Sequence, residues 1–317
     1  MPISPFDEAL RDLRVSGSVL LHETYAEPWA IEIPGEVELR VLTGVGPDTR
    51  VLPFHLVREG EFRLTQRDAQ EFSVTVDEVA ICPSGQPHVM SLGRTRDALP
   101  FREILKGKSP SSSRPSDRTT SLLCGLFFLR SAPLNPLLAA LPPLLKLNTS
   151  EASGNPVLNR AVEMLRYEVG RGHAASFSAL RMIEVFCAEA IMAYRMSDGG
   201  ATAGWFQALD DKRIGEVIAK IHEEPGAGHS VASLASVCAM SPSRFAARFR
   251  EVMGQSVMSY VSQWRMNVAC RTLRDSSIGL AELANRVGYD DVAAFSRAFK
   301  AEVGKSPALW RKECIQA

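Results

Sequence analysis

Two stretches of the C-terminal third repeat one another, and that repeat limits the fold more than any other feature of the chain. The first is SLASVCAMSPSRFAARFREVMGQS, from Ser233; the second is ELANRVGYDDVAAFSRAFKAEVGKS, from Glu282. Leu234-Ala235 returns as Leu283-Ala284, Phe245 and Phe249 return as Phe295 and Phe299, and Gly254 returns as Gly304. Two copies are too few to close a solenoid core. Each copy reads instead as a helix, a tight turn and a second helix. In the first copy Ser241-Pro242 opens the second helix, because serine is a good N-cap and proline suits the first turn. In the second copy Gly288 ends the first helix, since glycine accepts the left-handed backbone that the turn needs. Asp290 or Asp291 then caps the next helix. Two helices joined by so short a turn form a helix-turn-helix.

The second helix of each copy has two unlike faces. Phe245, Phe249 and Val252 recur at helical spacing and must pack inward, which leaves Ser243, Arg244, Ala246, Ala247 and Arg250 outward. Phe295 and Phe299 likewise pack inward and leave Ala293, Ser296, Arg297 and Lys300 outward. A helix showing small, polar and basic residues can lie close in a DNA major groove. Arginine donates to guanine O6 and N7, while alanine and serine allow close approach and contact with thymine methyls. Arg248 sits off this face and reads as a phosphate contact or a solvated charge. Trp264 and Trp310 read as core anchors. Charge agrees with these assignments: from Ser230 onward there are 12 Lys and Arg against 7 Asp and Glu, although the whole chain is neutral. The basic end is the one suited to approach phosphates.

The other two thirds differ in pattern. Residues 15–130 hold short apolar runs (SVLLHETY, VELRVLTG, PFHLVREG, EFSVTV, VAICPSG, LLCGLFFL) separated by Gly, Pro and Asp turns, the pattern of a small β-barrel or sandwich. The segment Gly107–Ser121, rich in Ser, Pro and Arg, reads as an exposed loop. After Asn135 the period becomes helical, with helices predicted over Pro156–Val169 and Ser178–Met196. Ser197–Gly204 reads as a flexible linker. The expected division is a sensor and dimerisation domain over 1–196, a linker over 197–208 and an all-α domain over 209–317. The fold class is α+β. No run is long and apolar enough to cross a bilayer, and MPISPFDEALRDLR lacks the form of a signal peptide, so a cytoplasmic protein is expected. Six scattered cysteines with no CxxC pair read as free thiols.

The stretch Leu283–Arg311 carries a VGY turn, an F-S-R-x-F-K core, the following glycine and an SPxxWR ending. It resembles the C-terminal signature of the AraC/XylS family of bacterial transcription regulators, over about Leu209–Cys314. The resemblance implies two helix-turn-helix units joined by a rigid helix, here Val257–Leu273, holding both reading helices about one DNA turn apart. Double-stranded DNA is the implied partner, with a homodimer and RNA polymerase as further partners.

Two other motifs, Pro53–Gly60 with His55 and Asp77–His88 with Pro83, Gly85 and His88, resemble the two halves of the cupin barrel. Pro28-Trp29, Cys124-Gly125 and the run Leu141–Leu145 resemble the cupin-type sensor domain carried by a subgroup of the same regulators. The resemblance covers about residues 5–195. The cupin metal motif is incomplete, because only His55 stands where two histidines and a glutamate are usual. No cofactor or resident metal is expected, and a cupin enzyme is disfavoured. His55, His88 and Cys124 are the residues expected to line an effector pocket. The plain reading is that they are satisfied polar residues lining an old pocket; among effector readings a small molecule stands first and a metal- or redox-responsive centre is the alternative, since His and Cys suit zinc or copper. No Ser-His-Asp set, P-loop or dinucleotide fingerprint is present. An effector that binds two conformations unequally would shift the DNA-competent population. Pro156–Val169 and Ser178–Met196 are the expected dimer surface.

Overall fold

The structure is a computed structural model describing residues 4–46, 49–66, 70–94, 97–111, 116–130, 134–151, 154–197 and 204–316. Its contacts gather into two compact units. One comprises Arg14–Arg130 and Leu141–Tyr194; the other comprises Met1–Leu13, Ser131–Ala140 and Arg195–Ala317. The sequence led us to place residues 1–196 in one domain, whereas two short segments of that span pack with the C-terminal helices. No helix among the described residues is long and apolar enough to cross a membrane.

The first unit is built on ten strands: β1 (Arg14–Ala26), β2 (Trp29–Ile33), β3 (Thr49–Glu59), β4 (Glu61–Gln66), β5 (Glu71–Thr75), β6 (Glu78–Ile81), β7 (His88–Leu92), β8 (Leu99–Pro100), β9 (Thr119–Arg130) and β10 (Leu145–Asn148). They form two five-stranded sheets, ordered β1-β9-β3-β6-β10 and β5-β4-β7-β2-β8. Side chains of both sheets share one core, to which β3 gives Val51 and Val57, β9 gives Leu122, Cys124 and Leu126, and β7 gives Met90 and Leu92. Alternation along each strand selects these residues, because successive side chains point to opposite faces. On the other face of β3 and β9, Phe54 and Phe127 meet Phe186, with ring centroids 5.3 and 5.2 Å from it. Phe186 belongs to a 20-residue helix, Phe177–Met196, that follows the helix Pro156–Gly170.

Four local expectations are corrected. VELRVLT is a helix, Glu36–Thr43, not a strand. Its Val37, Leu39 and Val41 alternate, yet only Leu39 is buried and the two valines are 69% and 77% exposed. Acidic residues in its first turn and a left-handed Gly44 at its end favour the helix. The all-helical reading after Asn135 misses β10, which pairs antiparallel with β6. The expected loop Gly107–Ser121 ends sooner, since β9 begins at Thr119; its residues 112–115 lie outside the described residues. Of the expected linker, residues 198–203 lie outside the described residues, and Gly204–Asp210 is a helix with Trp205 and Phe206 buried.

The second unit is helical. The helix Pro5–Asp12 lays Phe6 against Phe206, at 6.2 Å between ring centroids. Its Ala9 carbonyl accepts from Asn135 Nδ2 at 2.9 Å. Trp205 Nε1–H donates to the Tyr260 hydroxyl at 2.9 Å, and that hydroxyl lies 2.8 Å from His222 Nε2. The His222 ring stacks on Trp264 at 3.5 Å, and its Nδ1 faces Glu8 at 3.4 Å. Arg271 joins Glu8 and Asp12 at 3.2 and 2.7 Å. These contacts give Trp205, Tyr260 and His222 Nε2 polar partners inside an apolar centre. Burial lowers the His222 pKa, against the opposing pull of the Glu8 carboxylate.

Gly125 is one of the tightly constrained positions of the sheet unit. A Cβ there would stand 2.3 Å from Ser18 O and 2.5 Å from Phe54 Cζ, and the first of these neighbours is backbone. Gly125→Ala should therefore destabilise the sheet unit by about 1–3 kcal/mol, the usual cost of overpacking. Chemical denaturation of the full chain, compared with Gly44→Ala, whose added Cβ meets nothing, checks this. Equal losses would refute it once the left-handed backbone at Gly44 is allowed for.

Candidate nucleic-acid interface and histidine cluster

The first helix-turn-helix consists of Val231–Val237 and Pro242–Met253. The second consists of Leu280–Arg286 and Val292–Val303. Ser230 caps the first helix through a capping box with Ser233. Ser241 stands at the next N-cap, but its hydroxyl makes no capping hydrogen bond, so Pro242 and the backbone set that start. Asp291, not Asp290, caps Val292–Val303 and accepts from Ala293 N and Ala294 N, both at 2.9 Å. The turns differ in their left-handed residue: Ala239 at φ 52° in the first copy and Gly288 at φ 80° in the second. Gly254 and Gly304 end both second helices in left-handed backbone.

Phe245, Phe249, Phe295 and Phe299 are fully buried. The faces opposite them carry the residues expected there. Ser243, Arg244, Ala247 and Arg250 are exposed and Ala246 is partly exposed; Ala293, Arg297 and Lys300 are exposed and Ser296 is partly exposed. Arg248 has a third role beyond the two expected. Its Nη2 pairs with Asp211 at 2.9 Å and its Nη1 with Glu251 at 3.1 Å, inside its own unit.

The connecting helix is Val257–Asp275, two residues longer than expected, capped by Ser256 and buried along Tyr260, Val261, Trp264 and Ala269. Trp264 and Trp310 are both buried, as core anchors should be, and Trp310 Nε1 donates to Cys270 O at 3.2 Å. Sequence reasoning missed Arg265 on this helix. Its guanidinium donates to Pro225 O and Ala227 O, each at 2.8 Å, and to Gly288 O at 3.4 Å. One side chain thus ties the loop ahead of the first helix-turn-helix to the turn of the second. The signal available in the sequence was a cation one residue after the buried Trp264, in the middle of the helix. Gly226 and Gly288 make room for this bridge, since a Cβ on Gly288 would meet Arg265 Nη2 at 2.7 Å.

Between the two sheets lies a second cluster. His55 on β3 and His88 at the start of β7 bring their Nε2 atoms to 2.9 Å, and Cys82 Sγ lies 3.8 Å from His88 Nε2. These three groups lie within 4.8 Å of one another and are buried. Cys124 was the expected third member. It does face the same interior and stands opposite His55 in the β3–β9 register, but the sulfur grouped with both histidines is that of Cys82. Cys82 follows β6, and its backbone N–H donates to Pro53 O at 2.9 Å, which fixes it beside β3. Burial pushes the Cys82 thiol up to about 12 and the His88 imidazole down to about 4. His55 is also held well below its ordinary value, first by burial and then by His88. All six cysteines are free thiols, and all but Cys314 are buried.

Arg265→Leu should cost about 1–3 kcal/mol of stability in the helical unit, because three carbonyls lose a charged donor. Thermal unfolding followed by helical circular dichroism checks it, with exposed Arg286→Leu as the control. A loss no larger than the control's would remove Arg265 from this role.

A cupin family model matches residues 4–194, and a helix-turn-helix domain model matches residues 234–313. The chain is 27% identical to the HTH-type transcriptional regulator AlkR of Acinetobacter baylyi over 277 residues, covering 82% of this chain and 87% of that protein. It is 26% identical to an uncharacterized HTH-type transcriptional regulator of Haemophilus influenzae over 263 residues, covering 82% and 85%. A putative AraC-like transcription regulator of Streptomyces antibioticus is 38% identical over 112 residues, which are 35% of this chain and 37% of that one. With paired helix-turn-helix units toward its C-terminus and a histidine-lined double sheet before them, the chain belongs to the cupin family and carries a helix-turn-helix domain, as do the HTH-type and AraC-like transcription regulators it is similar to.

Proposed function

We propose that the chain binds a specific duplex operator in the cytoplasm through two consecutive major grooves. Val292–Val303 reads one groove with Ala293, Ser296, Arg297 and Lys300. Pro242–Met253 reads the other with Ser243, Arg244, Ala246, Ala247 and Arg250. The observation that carries this is the shared build of the two helices: a phenylalanine pair inward, and a small-residue face with cations outward. Small residues let the helix backbone approach the bases, and arginine supplies a paired donor for guanine. The interior between the sheets holds the effector, a small molecule in the first reading. Its unequal affinity for two conformations would change operator occupancy. RNA polymerase is the protein partner through which occupancy alters transcription.

The same reading includes a second copy of the chain. Val157, Met164 and Phe177 are exposed on the helices Pro156–Gly170 and Phe177–Met196. Each helix also carries an Arg–Glu pair, Arg160–Glu163 and Arg181–Glu184. An apolar stripe edged by both charge signs can meet its own copy across a two-fold axis.

Operator sites selected from random duplexes with the full chain supply the test. Arg297→Ala should weaken the selected site by ~1–3 kcal/mol, and the loss should shrink when the contacted guanine is replaced. An equal loss on every sequence would make Arg297 a phosphate contact. Wild-type affinity should also fall steeply as salt rises. For self-association, Met164→Glu with Phe177→Glu should convert the mass measured by light scattering from two copies to one. An unchanged mass would place any dimer contact elsewhere.

A further inference from the structure

The two histidines between the sheets are held in a fixed protonation pattern. His88 Nδ1 lies 3.1 Å from Gln86 O, a group that can only accept, so Nδ1 carries the proton and Nε2 is left with a lone pair. His55 Nε2, 2.9 Å away, must then donate its own proton to that lone pair. His55 Nδ1 is left bare, buried and without a hydrogen-bond partner. The pair is held together by one proton lying between two ligand-type nitrogens, with the Cys82 sulfur 3.8 Å from the nearer of them.

From this geometry we propose that His55, Cys82 and His88 bind one soft, monovalent d10 cation, copper(I), through two Nε2 atoms and the Cys82 thiolate. The inference rests on the reading of this interior as the ligand-binding part of the chain. Distances fit such an ion. Metal–nitrogen bonds of ~2.0–2.1 Å and a metal–sulfur bond of ~2.3 Å place nitrogen and sulfur about 3.6–3.8 Å apart at tetrahedral or trigonal angles. The same bonds place the two nitrogens about 3.3–3.6 Å apart, so the rings need only open by a few tenths of an ångström. The donor set, one thiolate and two imidazoles, is one that copper and zinc accept.

Charge selects between them. Among the described residues, no carboxylate joins the three-residue group. A thiolate with a monovalent ion leaves a neutral centre, whereas a divalent ion leaves a net positive charge among residues such as Phe62, Leu64 and Met90, all fully buried. An uncompensated charge in such surroundings is costly. Binding is balanced by one proton: the Cys82 thiol releases its proton to solvent, and the proton between the rings leaves His55 Nε2 while Nδ1 takes one up. Oxidation states do not change. The set differs from the usual cupin one in that Cys82, next to Pro83, contributes and no glutamate does.

The experiment uses the full chain, reduced and free of oxygen, titrated with copper(I) against a copper(I) chelator and separately with zinc(II) against a zinc chelator. One copper(I) per chain should bind, and X-ray absorption should show one sulfur and two nitrogens. Cys82→Ser should weaken binding by roughly 100-fold or more, a larger effect than supporting residues usually have. Cys124→Ser should leave it within about threefold, well below that range. Unchanged copper(I) affinity in Cys82→Ser, or its loss in Cys124→Ser, would overturn the site. Zinc(II) held against an equal excess of copper(I) would overturn the monovalent assignment. Should Cys82→Ser fail to fold, the wild-type spectrum decides, and a shell of sulfur alone would reject the histidines. Operator binding by the same variants is scored separately. Metal binding lost with operator binding intact leaves the regulator reading standing, and operator binding lost with the metal retained strikes that reading alone.

Discussion

Strand β9 carries Leu122, Cys124 and Leu126 into the space between the sheets, and its other face receives Phe54 where Gly125 has no side chain. That close approach decides the placement of much else in the sheet unit. With Phe54 turned toward Phe127 and Phe186, its neighbour His55 has only the opposite face of β3 to occupy. The histidine points inward because the phenylalanine beside it points outward. A one-residue slip of β3 against β9 would send His55 to the helix-covered side and Phe54 into the interior. The long registers of β9 with β1 and β3 oppose that slip across nearly its whole length.

The helical unit depends on a different kind of contact. Its apolar centre is crossed by a polar line running from Trp205 through Tyr260 and His222 to Glu8, with Arg271 and Asp12 at the end. Such a line is stable only when every member has a partner, and then it admits few alternative packings. The N-terminal helix Pro5–Asp12 supplies the carboxylates that complete it. The chain then enters β1 at Arg14, whose register partner Arg130 ends β9, and the segment that follows β9 returns Asn135 to the Ala9 carbonyl. The first residue of β1 and the last of β9 therefore lie side by side at one end of their ribbon.

Much of the nucleic-acid face was legible in the sequence. Phenylalanines four residues apart, a proline in a first turn and a glycine after the last one define the two helices and the side of each that must be buried. The polar and basic residues are then outward by exclusion. The role of Arg248 was not legible, because Asp211 is remote in sequence and only packing brings its carboxylate near. Arg265 escaped for the same reason, since its three acceptors are backbone carbonyls from two separate loops.

In the sheet unit, the sequence by itself set His55, His88 and Cys124 on separate strands from which each could face inward, and left the parity of Cys124 open. It did not distinguish helix from strand over Glu36–Thr43, because so short a segment, with Val37, Leu39, Val41 and Leu42 as its apolar residues, satisfies either period. Tertiary structure decided that question through Leu39, the only buried residue of that helix. It also decided which sulfur meets the histidines. Cys124 is the register neighbour of His55, but cross-strand neighbours lie side by side within one sheet, whereas His88 approaches from the facing one. Cys82 stands at the end of β6 where the chain turns from one sheet to the other, and so reaches both. Periodicity fixes the face a residue occupies; which residues meet across a core depends on how the sheets are brought together, and that is a property of the fold as a whole.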